Sequence, residues 1–343
     1  MCGIAGYIGQ QTPGNGQVQA ALRSMGHRGP DASGWCEIAS GARKIVLLHT
    51  RLSIVDLDPR SNQPFEKRGC VLVFNGEIYN HVELRNELEH EGCVFSTRSD
   101  TEVVIDAWRQ WGEDCFKRFE GMWALALFDV ERDIFMLSRD RFGEKPLHLL
   151  RDSYGLYFAS EIKTLRSLSG QRPSPDLEQV RRYLVLGYRC LHQKPRTFFR
   201  DVLEFPPASL ARFEAGKAET VERYWQLSYA PREMTYDEAL CTSSDLLTRS
   251  VELRLRADVP LAFCLSGGID SGALAAIACE KLGAEIDTFS IYDTDPRYDE
   301  RENITRTCKR LGCKNRLIEA RREGFLDRMA KLVRQHDAPV ATI

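Results

Sequence analysis

Met1-Cys2-Gly3-Ile4-Ala5-Gly6 opens the sequence, and the place of its cysteine decides how the first half is read. Once Met1 is removed, Cys2 carries both a thiol nucleophile and a free α-amino group able to accept its proton. The small side chain of Cys2 favours that removal. Outward from this segment the chain reads as β-rich: Val71-Leu72-Val73-Phe74, Trp123-Ala124-Leu125-Ala126-Leu127-Phe128, Ile134-Phe135-Met136-Leu137 and Leu156-Tyr157-Phe158-Ala159 are short apolar runs ended by turn residues. Helical periodicity interrupts them at Val82 to Glu91 and Thr101 to Trp111. Together they predict a mixed sheet sandwich.

Gly170-Gln171-Arg172-Pro173-Ser174-Pro175 reads as a loop, yet Thr197 to Trp225 returns to strand character with a hairpin turn at Ala215-Gly216-Lys217. The first domain is therefore predicted over 2–230 and a second over 231–343. From Tyr236 the pattern becomes helix, strand, helix: a helix over Tyr236 to Arg256, a strand ending at Leu265, a helix over Gly272 to Leu282, a strand over Ile286 to Tyr292, a helix over Arg301 to Leu311 and a short strand at Arg316 to Ile318. That alternation predicts a parallel, doubly wound α/β sheet.

With 343 residues, the chain exceeds the usual size of a single core, and two domains are the expected organisation. A net charge of −2 with 28% charged residues supplies no basic field, so nucleic acid is not an expected partner. No apolar stretch reaches the roughly 18 residues that cross a bilayer, and the first segment lacks the basic-then-apolar order of a signal peptide, so a cytoplasmic protein without a membrane partner is expected. The eleven cysteines show no CxxC pairing and are expected to be mostly reduced, buried fillers.

The apolar run Leu261-Ala262-Phe263-Cys264-Leu265 meets Ser266-Gly267-Gly268-Ile269-Asp270-Ser271. In parallel sheets ligands bind beyond the carboxyl ends of strands, and small residues there let backbone N–H groups approach phosphate oxygens at the next helix. The order differs from Gly-x-x-x-x-Gly-Lys-Ser, and no lysine reaches a γ-phosphate. The loop instead resembles the pyrophosphate loop of enzymes that split ATP into AMP and pyrophosphate, with Asp270 placed to help hold Mg²⁺. An ordinary Ser- and Gly-rich turn is the alternative.

His27-Arg28-Gly29-Pro30-Asp31, Arg51-Leu52-Ser53-Ile54-Val55-Asp56, Asn75-Gly76-Glu77-Ile78-Tyr79-Asn80, Ser99-Asp100-Thr101-Glu102 and Arg139-Asp140-Arg141-Phe142-Gly143 follow Cys2 in the order found in class II glutamine amidotransferases. With the Ser-Gly-Gly-Ile-Asp-Ser loop behind them, the chain resembles the glutamine-hydrolysing asparagine synthetase family over essentially its whole length. The resemblance implies an αββα N-terminal nucleophile sandwich followed by an ATP-pyrophosphatase-like domain. Cys2 attacks glutamine with its own α-amine as base. The Asn75 side chain and the Gly76 N–H form the oxyanion hole. Arg51 takes the substrate α-carboxylate, Asp100 and Glu77 serve its ammonium and neighbouring polar groups, and the backbone of Leu52, Ser53, Ile54 and Val55 completes the pocket. Leu265, Ser266, Gly267, Gly268, Asp270, Ser271 and Ile291 form the ATP site, with Leu265 and Ile291 beside the adenine and Asp270 on the metal. The partners implied are glutamine, ATP and aspartate or another carboxylic acid, and a homodimer is allowed.

Against each residue stands a plainer reading: Asn75-Gly76 as a hairpin turn, Arg51 and Asp100 as solvated charges, Cys2 as a terminal residue. Their joint occurrence in family order favours function. His27 and His49 read as structural hydrogen-bonding residues. Met122 matches a position bordering an ammonia tunnel in the family, though core packing explains it equally well. The chain departs from the family at Gly272, where a second serine is usual, and at Glu144 and His148, whose positions are more often apolar or aromatic. It also ends before the expected acidic Gly-Glu-Gly-Ala-Asp-Glu segment, so a fragment is expected. Two alternatives remain: another acceptor, such as a sugar acid or a lactam-forming substrate, and a non-catalytic or glutaminase-only chain.

Overall fold

The computed structural model describes residues 1–188, 195–321 and 323–340. The chain divides into two compact units, Met1–Leu227 with Lys331–Ile343, and Ser228–Ala330. The sequence placed its boundary at 230, close to this division. The segment from Lys331 onward, which the sequence reading gave to the second domain, groups with the first unit.

Two six-stranded sheets build the first unit. One runs in the order β10 (Val202–Glu204), β8 (His148–Arg151), β9 (Gly155–Ala159), β1 (Gly3–Gly9), β3 (Arg43–Arg51) and β2 (Ala32–Ser40). The other runs β12 (Thr220–Arg223), β11 (Ser209–Glu214), β7 (Ile134–Arg139), β6 (Gly121–Asp129), β5 (Cys70–Ile78) and β4 (Phe65–Lys67). Every pairing in both sheets is antiparallel.

Side chains alternate across each strand, and both faces are covered. Val71 and Val73 of β5 join Ile4, Ile45, Leu47, Ala126 and Phe135 in one core, while Leu72 and Phe74 enter another with residues of helices α2 (His81–His90), α3 (Asp100–Trp111) and α4 (Cys115–Arg118). On the far side of the first sheet, Ala5, Tyr7, Val46 and Leu48 pack with residues of α1 (Asn15–Met25) and α5 (Ile162–Ser169). This is the four-layer αββα sandwich. Burial on both faces explains why these strands read as unbroken apolar runs rather than alternating ones. Helices α1 and α6 escaped the sequence reading for the opposite reason: α1 shows the core only Val18, Ala21 and Met25, and α6 (Leu177–Leu186) is mostly exposed.

The second unit holds three parallel strands in the order β13 (Ala262–Cys264), β14 (Asp287–Tyr292) and β15 (Lys314–Glu319). Helix α8 (Ile269–Ala276) connects the first two, α9 (Arg301–Leu311) the second two, and α7 (Tyr236–Arg254) precedes them. Val251, Leu265, Ala275, Ala278, Ile286 and Ile304 form its core. Helix α10 (Phe325–His336) includes the division at Lys331. The structure starts α8 at Ile269, three residues before the predicted start, because Gly268 takes the extended N-cap conformation. Asp270 and Ser271 therefore belong to the first turn of the helix.

The ten described cysteines are all unpaired, and Cys190 lies outside the described residues. Cys70, Cys93 and Cys115 are buried, whereas Cys241 and Cys264 are exposed, so filling a core accounts for only some of them. Among the described residues, no helix is long and apolar enough to cross a membrane.

Candidate active site

Cys2 sits one residue before β1, whose first residue, Gly3, pairs with Thr50 in β3. A Cβ on Gly3 would lie 2.8 Å from the Thr50 hydroxyl, so glycine lets the terminus lie flat against that strand. The register brings the thiol to the end of β3. There the Leu52 N–H donates to Cys2 Sγ at 3.4 Å, and the thiol donates back to the Leu52 carbonyl at 3.6 Å. Burial pushes the Cys2 thiol up from its ordinary value, with the Leu52 hydrogen bond opposing the shift. A neutral thiol needs a proton acceptor before it can attack. With Met1 in place, the only α-amine at this end is that of Met1, whose pKa is lowered chiefly by burial, and the Cys2 nitrogen is an amide with no basic lone pair.

The opposite sheet supplies the next group. Asn75, Gly76 and Glu77 lie in sequence along β5, opposite Ala124, Trp123 and Met122 of β6. Gly76 is required by packing, since a Cβ there would come within 2.1 Å of the Met122 carbonyl. Asn75 is 1% exposed, and neither its Oδ1 nor its Nδ2 has a protein partner. Both Asn75 and Cys2 line one small cavity of about 50 Å³, together with Met1, Arg51, Leu52, Ile54, Val55, Gly76, Glu77 and Asp100. A buried, unpaired amide costs free energy unless something in the cavity completes it.

Charges of both signs surround the cavity. Ser99 caps α3 with its hydroxyl accepting from the Thr101 N–H, and Asp100 follows at the first helical position. Its carboxylate accepts from the Ile78 N–H at 3.0 Å, yet burial raises its pKa to about 6. Glu77 is also pushed up, first by burial and then by Asp100. Lys145 is pushed down by burial, with Glu77 opposing. Its position is set by Asp140, whose buried carboxylate accepts from the N–H groups of Phe142, Glu144 and Lys145.

Arg51 differs from the expected free fork. Its Nη1 donates to the Asp58 carbonyl at 3.0 Å and to Asn62 Oδ1 at 2.7 Å, and its Nη2 to the carbonyls of Val55 and Asp56. The guanidinium thus latches the loop after β3, and among the described residues it has no carboxylate partner. Its charge is uncompensated beside the cavity while its donors are largely committed. Ser53 does not line the cavity; its N–H donates to Asp31 at 2.8 Å, so it supports the loop from behind.

In the second unit, Gly267 adopts φ +77°, and the Ser266 N–H and hydroxyl both reach the Ser271 hydroxyl, at 3.2 and 3.1 Å. No side chain caps α8, so its first amides face outward from Gly268. The loop presents a positive helix end at a strand terminus. Asp270 is exposed, and among the described residues no cluster of three His, Cys, Asp or Glu could hold a metal ion. Leu265 is 2% exposed and part of the core, which leaves only its backbone for a ligand, whereas Ile291 is 71% exposed.

Residues 1–225 match the glutamine amidotransferase domain family. The chain belongs to that family. Residues 242–342 match the asparagine synthase family. Among curated relatives, the asparagine synthetase [glutamine-hydrolyzing] 1 of Bacillus subtilis is 30% identical over 99% of this chain and 54% of its own length. A putative asparagine synthetase [glutamine-hydrolyzing] of Mycobacterium tuberculosis is 32% identical over 99% of this chain and 55% of its own length. Amidase chyE of Penicillium rubens is 30% identical over 99% and 54%. The chain spans about half the length of these relatives. Among solved structures, the glutamine phosphoribosylpyrophosphate amidotransferase of B. subtilis matches with a TM-score of 0.48 and 16% identity, over 92% of this chain and 65% of its own.

Residues of four motifs, those of Cys2, Arg51, Asn75 and Asp100, thus meet at one cavity, whereas the motifs at 27–31 and 139–143 do not line it. Sequence reasoning missed Gln63 and Lys145, which also line it, as do Ser99 and Thr101, quoted only as part of a motif. Gln63 ties two walls together, accepting from the Phe74 N–H at 2.6 Å and donating to the Thr101 hydroxyl at 3.2 Å. Arg28, quoted only as part of a motif, donates through Nε to the Cys2 carbonyl at 2.9 Å. His49 is buried with its pKa lowered to about 3, and its Nε2 lies 3.2 Å from the Phe74 carbonyl; it is a neutral structural group. His27 contacts Glu161 at 3.1 Å. Met122 is half-buried opposite Glu77.

Proposed function

We propose that the first unit hydrolyses glutamine at Cys2 and that the second binds ATP, the ammonia passing to a carboxylate activated as its adenylate. The observation that carries the first half is the buried Asn75 amide without a protein partner, in the same cavity as the Cys2 thiol. After loss of Met1, the Cys2 α-amine takes the thiol proton and Sγ bonds to the side-chain carbonyl carbon of glutamine. The developing oxyanion receives hydrogen bonds from Asn75 Nδ2 and the Gly76 N–H. The amine returns the proton to the leaving nitrogen, ammonia departs, and water cleaves the thioester to glutamate. Asp100 and Glu77 hold the substrate ammonium, while the Arg51 charge and the loop it latches receive the α-carboxylate, with Leu52, Ser53, Ile54 and Val55 shaping that side.

The loop Ser266–Ser271 fits the phosphates of ATP: its φ +77° glycine and uncapped helix end supply backbone donors without side chains in the way. Gly267, Gly268, Ser266 and Ser271 hold the phosphates, the Leu265 backbone and Ile291 meet the base, and Asp270 would be the residue to help hold Mg²⁺, which would supply charge neutralisation at the phosphates. Aspartate is the first acceptor to examine, from the synthetase-named relatives. A different carboxylate is the second reading, favoured by amidase-named relatives of similar identity.

The test is glutamate release by chain lacking Met1, verified by mass spectrometry, beside chain of the same sequence in which Met1 is retained because it was produced with methionine aminopeptidase inhibited. Turnover by the first and silence of the second is expected. Equal turnover by both would remove the terminal amine as the base. The acceptor is read separately, by AMP formation with ATP and a panel of carboxylic acids.

A further inference from the structure

We infer that a chain of charged groups running from Asp337 through Lys163, Glu161 and Arg28 holds the Cys2 nucleophile in place, so that the segment Gln335–Asp337 positions the residue at the other end of the sequence. This rests on the reading of Cys2 as the nucleophile.

The need for such a device follows from the chemistry. A residue that must be the chain terminus loses the peptide bond on one side, and terminal residues fray unless tied down. Among the described residues, the hydrogen bonds that hold Cys2 are its thiol contacts to Leu52 and the one its own carbonyl accepts. That carbonyl accepts from Arg28 Nε at 2.9 Å. A guanidinium is planar, so fixing its other edge fixes the direction of the Nε–H. The other edge is fixed by Glu161, whose Oε1 lies 3.1 Å from Arg28 Nη1.

Glu161 is 6% exposed and is itself oriented from the far side. Lys163 Nζ forms an ion pair with Glu161 Oε2 at 2.7 Å, without the geometry of a hydrogen bond, while Oε1 meets Arg28 and, at 3.1 Å, His27 Nε2. Lys163 is anchored in turn by the C-terminal segment. Its backbone N–H donates to Asp337 Oδ2 at 3.0 Å, and its Nζ donates to the Gln335 carbonyl at 2.8 Å and to Asp337 Oδ2 at 3.5 Å. Asp337 is held at φ 51°, a left-handed backbone that a short polar side chain tolerates. Every link lies within the first unit, yet Gln335 and Asp337 belong to the stretch matched by the asparagine synthase family, 242–342, and not to the amidotransferase match, 1–225.

Lys163 touches none of the groups lining the Cys2 cavity except through Glu161 and Arg28, which makes it a positioning residue. Its loss lets the Arg28 fork swing and the terminal residue drift, and displacements of that size lower the rate of the chemical step far more than they change substrate affinity.

The experiment compares Lys163→Met, Lys163→Arg and Asp337→Asn in the full chain. Lys163→Met is expected to lower kcat for glutamine hydrolysis about tenfold with KM within about twofold, and Lys163→Arg to restore most of the rate because it keeps the cation. Asp337→Asn is expected to give a smaller loss in the same direction. Hydrogen exchange of the amides of Gly3, Ile4 and Ala5 supplies a reading independent of turnover, with faster exchange expected in Lys163→Met. An unchanged kcat together with unchanged exchange at Gly3–Ala5 overturns the inference, as does a rise in KM without a fall in kcat. A wild-type chain that releases no glutamate instead defeats the glutaminase reading, and the exchange measurement then still decides whether the relay holds the terminus.

Discussion

The cavity around Cys2 and the loop at Ser266–Ser271 are both built at strand ends, but they are opposite in character. In the first, Asn75, Asp100 and Arg51 are buried, and the walls are fastened by side chains such as Gln63 and Asp140 that bind backbone on neighbouring elements. In the second, Ser266, Gly268 and Asp270 are exposed and Ser271 is half-buried, and their hydrogen bonds stay inside the loop. A site that must stabilise a transient charge needs donors fixed before the reaction, so it pays in desolvated groups with shifted pKa values. A phosphate cradle uses backbone donors at a helix end, and the ligand's own charge completes it. Substitution of the nucleophile or the oxyanion donor should therefore change rate at the first site, and substitution in the cradle should change affinity at the second.

The sharpest break of this contrast is Cys2→Ala, expected to abolish glutamate release while leaving ATP binding by the second unit intact in a calorimetric titration. Surviving turnover would place the nucleophile elsewhere. Next in size, Asn75→Ala is expected to lower kcat roughly 10²–10³-fold with little change in KM, because an oxyanion donor acts in the transition state. A pure KM effect would take Asn75 out of the oxyanion hole.

Arg51→Ala sharpens the comparison further. Losing the guanidinium removes the positive charge beside the cavity and releases the carbonyls of Val55, Asp56 and Asp58 together. The KM for glutamine is expected to rise roughly 30-fold or more, about 2 kcal/mol, with a lower melting temperature, since one residue serves ligand and loop. A shift in KM with no loss of stability would mean that the latch is dispensable.

Asp100 gives a pH signature. Its folded pKa of about 6 stands above the ordinary carboxyl value of 3.8, so it becomes neutral as pH falls below about 6 and its ammonium partner is lost. The KM for glutamine is expected to climb about tenfold for each unit below that point if Asp100 supplies the main contact. The stability effect has the opposite sense: a raised carboxyl favours the fold while protonated, and that contribution disappears as pH rises through about 6. Asp100→Asn should flatten the melting temperature between pH 4 and 7 while weakening glutamine binding at pH 7. The smallest effect is expected for Gly267→Ala, which forces a side chain onto φ +77° with its Cβ 3.1 Å from Glu300 Cβ; ATP affinity should drop several-fold, with glutamine hydrolysis unchanged. A change in the hydrolysis rate would break the division between the two sites.

Much of the first site was legible because its chemistry is concentrated in short motifs: Cys2 by its position, and Arg51, Asn75-Gly76 and Asp100 by the order of the family motifs, although the local pattern alone offered a hairpin turn at Asn75-Gly76 where the structure has a strand. What was not legible acts across long sequence separations. Gln63 reaches Phe74 and Thr101, and Lys163 meets Asp337, contacts that no local pattern announces. The sandwich was visible in the apolar runs of β5, β6 and β7, since burial on both faces leaves little room for polar residues. Helices α1 and α5 were not, because each shows the core a narrow stripe: Val18, Ala21 and Met25, or Ile162, Leu165 and Leu168. In the second unit the early start of α8 was hidden because Ile269, Asp270 and Ser271 look like loop residues until Gly268 is seen to cap them.

Met1 lines the cavity that holds Cys2, and while it is in place the Cys2 nitrogen is an amide that cannot take a proton. On the proposed chemistry, removal of Met1 converts a folded but inactive site into an active one. Its thiol, kept protonated by burial, is sheltered from adventitious alkylation and oxidation, and the cut that frees the catalytic amine also clears the wall of the substrate cavity. The onset of glutamine consumption in a growing cell would then be timed by methionine aminopeptidase, and overproduction that outruns this peptidase would yield folded, inert protein.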